Sequence, residues 1–174
     1  MNKHLLVLAH PNINESNINR FLLESNCDNQ QVTVHDLYRL YPHFNINIEN
    51  ERQRIREAQH IIFQFPMYWY SCPALLKEWL DRVMVRGFAY AEGERVLAGK
   101  KLQIILTSAG GHRDYAHDGF HKCTYQELLK PFQTFANLCE MEFLPPLCIG
   151  DVYALTEEAL TQAASDYKQT IAML

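Results

Sequence analysis

Apolar residues in this chain fall into short continuous runs separated by amphipathic stretches. Leu5 to Ala9, Ile61 to Phe65 and Leu102 to Leu106 are almost unbroken, a pattern that suits strands covered on both faces of a parallel sheet. Gln31 to Leu37 instead alternates, with Val32, Val34 and Leu37 among polar residues, as an outer strand does. Glu142 to Leu144 and Leu147 to Ile149, broken by Pro145 and Pro146, read as a last strand. Between strands the period lengthens. Leu75, Leu76, Trp79, Leu80 and Val83 recur at steps of three and four, opposite Lys77, Glu78, Asp81 and Arg82, which predicts an amphipathic helix. Lys77 with Asp81 and Glu78 with Arg82 reinforce it as i,i+4 pairs. Pro73 suits its first turn, with Ser71 or Cys72 as cap. Further helices are predicted over 17–24, capped by Ser16, over 48–58 and over 157–173. Thr124 to Glu127 forms a capping box for a helix whose Tyr125, Leu129, Phe132 and Ala136 face the core or a dimer contact. Pro131 should kink that helix or delay its start. Residues 38–47 read as a connection without period, and 88–99 as a surface loop.

Five strands alternating with helices predict an α/β fold, a doubly wound parallel sheet in the order 2-1-3-4-5, built as one domain from residues 1–174. Ligands of such sheets bind beyond the carboxyl ends of the strands, and this order brings the turns after strands 1, 3 and 4 together. Each of those turns carries chemistry. The first runs from His10 to Ser16 into a helix start at Asn17, Ile18 and Asn19, where unpaired amides and the helix dipole suit a phosphate. The second is Pro66, Met67, Tyr68, Trp69 and Tyr70, either the wall for a flat ring or a cover for the sheet end or a dimer contact. The third is Thr107, Ser108, Ala109, Gly110 and Gly111, whose small residues and consecutive amides can approach a polar ring edge. Together they describe a flavin mononucleotide (FMN) site. Neither GxGxxG nor GxxxxGK[ST] occurs, which removes the usual dinucleotide and P-loop signatures.

A net charge of −4 and a pI near 6.0 leave no basic tract for nucleic acid. Five cysteines without CxxC or metal spacing suit reduced thiols inside a cell and no metal site. The five-residue apolar segment Leu5 to Ala9 is too short for a signal peptide, and prolines and polar aromatics disqualify 60–76 as a membrane span. A cytoplasmic protein is expected.

The segments LAHPNINESNIN, FQFPMYWYSCPALLKEWLDRV and LTSAGG resemble motifs of the flavodoxin-like NAD(P)H:quinone oxidoreductases. They are most similar to short bacterial ancillary proteins of glutathione-gated potassium efflux systems and to chains termed general stress protein 14. The resemblance spans nearly the whole chain. It implies a flavodoxin-like fold, a homodimer with flavin pockets at the subunit contact, and FMN, with FAD disfavoured because the carboxyl-terminal extension of the FAD-using enzymes is missing. It further implies that His10 and Ser16 to Asn19 hold the phosphate arm, that Pro66, Met67, Tyr68 and Trp69 lie along the ring, and that Thr107 to Gly111 bond its polar edge. Tyr115 and His121 sit where relatives place residues that assist hydride transfer. The expected activity is two-electron, ping-pong transfer from NAD(P)H to a quinone. Two other readings stand beside it: a regulatory subunit on a potassium efflux membrane protein, hence peripheral on the inner membrane, and a one-electron carrier.

Overall fold

A computed structural model describes residues 4–174. Strands β1 (His4–Leu8), β2 (Val32–Asp36), β3 (His60–Pro66), β4 (Lys101–Thr107), β5 (Glu142–Phe143) and β6 (Leu147–Ile149) form one parallel sheet. Its order is β2-β1-β3-β4-β5, with β6 also on β4, so the expected order is met and the fifth position is split in two. Pro145 and Pro146 cause the split, since neither offers an amide to the ladder; the Gln103 side chain bridges the gap by donating to the Pro145 carbonyl at 3.0 Å.

Strand side chains alternate between two helical layers. Leu6, Leu8, Ile62 and Ile105 face α1 (Asn17–Ser25) and α7 (Glu157–Ala172), while Val7, Ile61, Phe63, Phe65, Ile104 and Leu106 belong to the core on the other face. That second layer contains α2 (Leu37–Leu40), α3 (Ile48–Glu57), α4 (Ala74–Val83), α5 (Tyr125–Leu128) and α6 (Lys130–Leu138). Both faces are covered, which is why the inner strands are continuously apolar.

Several local expectations need correction. α4 starts on Pro73 with no side-chain cap, so neither Ser71 nor Cys72 caps it; Pro73 supplies a preset φ and no amide that needs satisfying. Within 38–47 the chain turns as a short helix, because Asp36 accepts the Arg39 amide and buries Leu37. Residues 88–99 are more than a surface loop: Phe88, Ala89 and Leu97 are buried, and Arg52 and Arg56 both lie over the Phe88 ring. The Thr124 and Glu127 capping box forms, and the chain breaks at Leu129, so α6 begins with Pro131 in its first turn.

In the same layer Glu51 of α3 is wholly buried. Its carboxylate accepts from His35 Nε2 at 2.7 Å, the Tyr41 hydroxyl at 2.5 Å and Trp79 Nε1 at 2.7 Å. One side chain thus ties β2, α3, α4 and the segment after α2. Burial pushes this carboxyl's pKa up, but the His35 and Tyr41 hydrogen bonds outweigh it and leave the group below its ordinary value. The Tyr41 hydroxyl, desolvated and facing that carboxylate, is pushed up to about 12.

Candidate functional site

Beyond the carboxyl ends of β1, β3 and β4 lies a cavity of about 410 Å³. Its first wall is the β1–α1 connection. A short 3-10 turn, Ile13–Glu15, delivers Ser16 to the helix start, where its hydroxyl accepts the Asn19 amide at 3.2 Å. The amides of Asn17 and Ile18 have no acceptor within the helix, by helix geometry, and both residues border the cavity. His10 accepts the Asn12 amide on Nδ1 at 3.1 Å. Burial lowers the His10 pKa, against the pull of Asp36, the Asn12 contact and Glu15, so the ring is neutral near pH 7 and carries its proton on Nε2. This end of the cavity gathers N–H and O–H donors at the positive end of a helix, with Glu15 also on the same wall.

The second wall is the β3–α4 connection, where Pro66, Met67 and Tyr68 border the cavity. Tyr68 and Ser71 exchange both amide bonds at 3.0 Å, closing a two-residue turn over Trp69 (φ 47°) and Tyr70 (φ 62°). Positive φ at both central positions is type I′ geometry, which favours Asn-Gly. Bulky rings there are strained. Exchanging Trp69 and Tyr70 for Asn and Gly should therefore stabilise the protein by about 1 kcal/mol and raise Tm by roughly 2–4 °C. A thermal scan showing a lower Tm would mean that contacts of these rings outweigh the strain.

The third wall is Thr107, Ser108 and Ala109. Behind it the glycine turn is anchored on several sides. The Gly110 carbonyl accepts from the Tyr125 hydroxyl at 3.0 Å, Ser108 Oγ at 2.9 Å and the Asp151 amide at 3.3 Å. The Gly111 amide donates to Asp114 at 3.0 Å, so it is no longer a free donor of the expected amide array. A Cβ on Gly150 would sit 2.7 Å from the Gly110 carbonyl oxygen, so only glycine lets the two turns touch there. The Tyr125 hydroxyl, buried against Ser108 at 2.6 Å, is pushed up to about 12.

A buried polar network joins the first and third walls to β3 and α7. Asn19 Nδ2 donates to Thr107 Oγ1 at 3.0 Å and to Ser16 Oγ at 3.1 Å. Gln64 Nε2 donates to Asn19 Oδ1 at 3.3 Å, and Gln64 Oε1 accepts the Tyr167 hydroxyl at 2.9 Å. The side chains of Asn19 and Thr107 are thus committed to each other.

Of the residues singled out from sequence, His10, Ser16, Asn17, Ile18, Asn19, Pro66, Met67, Tyr68, Thr107, Ser108 and Ala109 border this cavity. Trp69, Gly110, Gly111, Tyr115 and His121 do not. Trp69 is 93% exposed. Tyr115 is stacked between His121 and Tyr125, each 4.3 Å away centroid to centroid, beside the glycine turn. Its hydroxyl pKa is raised, by burial first and then by Tyr70, Cys123 and Asp114, which keeps it a proton-bearing donor at neutral pH. The cavity also includes Pro11, Asn12 and Glu15, which lie within the first expected turn without having been singled out, and Val152 and Tyr153, which lie outside all three turns. The last two follow β6, and the turn Gly150-Asp151 beyond a strand next to β4 was the signal for them.

The cavity fits FMN by the chemistry of its donors. Amides, a hydroxyl and a neutral imidazole gather at one end, a proline, methionine and tyrosine form the second wall, and a threonine, a serine and an alanine form the third. Among the described residues no lysine or arginine borders it, so a phosphate there would be held by dipole and hydrogen bonds.

A family model described as the flavodoxin-like fold matches residues 2–171. The glutathione-regulated potassium-efflux system ancillary protein KefG of Pectobacterium carotovorum is 43% identical over 98% of this chain and 93% of its own length. General stress protein 14 of Treponema denticola, solved in complex with FMN, superposes with a TM-score of 0.88 at 32% identity, covering 98% of this chain and 97% of that one. An NADPH-quinone reductase from P. pentosaceus superposes with a TM-score of 0.89 at 33% identity, covering 96% of each chain. Among the described residues no helix is long and apolar enough to cross a membrane.

Proposed function

This chain belongs to the flavodoxin-like family, and we propose that it is an FMN-dependent NAD(P)H oxidoreductase that reduces quinones. The observation that carries this reading is the cavity where the turns after β1, β3 and β4 meet, with an anion-seeking helix start on one wall and a proline, methionine and tyrosine on another. FMN, when bound, supplies the capacity to take up and pass on a hydride. The protein's share is placement. Ser16 with the Asn17 and Ile18 amides and His10 would hold the phosphate arm. Pro66, Met67 and Tyr68 would form the flat wall, and the amide at Ala109, on the cavity wall, would donate to the polar edge of the ring. NAD(P)H donates and the quinone accepts in turn at one site, in ping-pong order.

Tyr115 contributes a hydroxyl that remains protonated at working pH. Tyr115→Phe should lower turnover roughly tenfold, the worth of one hydrogen bond to a developing charge, with little change in FMN affinity. Unchanged turnover would remove Tyr115 from the chemistry. The reading as a whole is tested by a visible spectrum of the FMN-loaded protein under anaerobic conditions. Flavin bands should bleach on adding NADPH or NADH and return on adding menadione; bands that neither nucleotide bleaches would overturn it.

Similarity to the KefG ancillary protein over nearly the whole chain favours a second reading, in which the chain docks on a potassium efflux membrane protein. Co-purification with such a protein, with and without FMN, tests that association separately from turnover.

A further inference from the structure

The turn over Trp69 and Tyr70 and the loop that carries His121 are distant in sequence, yet they meet at one contact. The Tyr70 hydroxyl lies 3.3 Å from His121 Nδ1, and the two rings pack edge to face with centroids 5.4 Å apart. His121 is fixed on its other sides by stacking on Tyr115 at 4.3 Å and by the edge of Phe120 at 5.1 Å. Its Nε2 is turned toward the glycine turn, since a Cβ on Gly110 would lie 3.3 Å from that nitrogen. Ala109, the neighbour of Gly110, is on the cavity wall.

We propose that Tyr70 is a positioning residue for His121: its hydroxyl donates to Nδ1 and thereby keeps the proton on Nε2, the nitrogen that faces the rim of the cavity. A phenol is a better donor than acceptor and an imidazole nitrogen a good acceptor, so the bond runs from oxygen to nitrogen, and the partner of one ring nitrogen decides the state of the other. The Nε2–H then offers a hydrogen bond to the carbonyl oxygen of an acceptor docked beside Gly110, where that oxygen gains negative charge. The clasp also gives the strained turn a purpose. With Tyr68 and Ser71 paired, a type I′ bend is the geometry in which Tyr70 reaches His121, and a relaxed turn would aim the ring elsewhere. This inference rests on the quinone reductase reading for the role of His121, but the clasp itself is independent of it.

The test is Tyr70→Phe in the full-length, FMN-loaded chain, read in two ways. Nitrogen-15 NMR of the imidazole, with His121→Gln to assign the signal, should show neutral His121 in the Nε2–H form in the parent protein and a mixture of tautomers in the variant. Turnover of menadione at saturation should fall roughly three- to tenfold, the worth of one hydrogen bond, while the rate of bleaching by NADPH is unchanged. The same tautomer distribution in both proteins would overturn the clasp. A changed distribution with unchanged menadione turnover would overturn its role in the reaction. A parent protein that does not reduce menadione at all would refute the reductase reading, and the NMR comparison would still decide whether Tyr70 positions His121.

Discussion

Replacing Glu51 with Ala should cost about 3–5 kcal/mol of folding stability, because three buried donors lose their shared acceptor at about 1–3 kcal/mol each. The size follows from what is left behind. His35, Tyr41 and Trp79 each direct a polar hydrogen at this carboxylate, and an alanine leaves all three without an acceptor in a region that excludes water. Glu51→Gln, which keeps an acceptor oxygen, should lose less than the alanine variant. Urea unfolding at pH 7 measures both, and a loss below about 1 kcal/mol for the alanine would show that the hub does not hold the layer together. The pH dependence has a definite sign. The folded carboxyl has a pKa below 4.5, its ordinary value, so the stabilisation it provides is complete above that value and is lost as the pH falls through the folded pKa. The gap between parent and alanine variant should therefore narrow in acid and stay constant from pH 6 to 8.

The second large effect is expected at Gln64. It is fully buried in β3, and it links Tyr167 of α7 to Asn19 of α1. Gln64→Leu strands the Tyr167 hydroxyl and removes a donor from the Asn19 side-chain oxygen. At about 1–3 kcal/mol for each orphaned group, the variant should lose about 2–4 kcal/mol. Adding Tyr167→Phe should recover about 1 kcal/mol, because the second replacement removes the stranded partner, and the double-mutant cycle reads that coupling directly. Asn19 also holds Ser16 and Thr107, so FMN affinity should fall with stability in Gln64→Leu. Affinity within twofold of the parent would make the network a brace for the fold alone.

Strand order and the meeting of three turns were legible in the sequence because they follow from which runs are continuous and which alternate. The split of the last strand was visible in Pro145 and Pro146 for the same reason. Capping at Ser16 and Thr124 was readable because the donors and acceptors are local. The start of α4 was not, since Pro73 offers no side-chain cap and the Leu75 amide instead donates to the hydroxyl of Tyr38, 37 residues away in sequence. The buried core of 88–99 was missed because Phe88, Ala89 and Leu97 follow no helical or strand period. Glu51 illustrates a signal present but unread: it shares the helix phase of Ile48 and Ile55, three and four residues away, on the face that goes inward. Gln64 is similar, a lone polar residue inside an apolar strand run. The contact between Tyr70 and His121 depends on a turn geometry that Trp-Tyr does not advertise, so no reading of residue types alone would have found it.

The interrupted outer strand has one more effect. An exposed strand at the border of a sheet is a template for pairing with another chain, and proteins suppress this with short strands and prolines. Here the border is two residues, then Leu144 and two prolines, then three residues, and the Gln103 amide already occupies a carbonyl in the break. An incoming strand would find no continuous ladder to extend, so this margin of the molecule resists sheet-to-sheet aggregation while its inner side still completes the sheet.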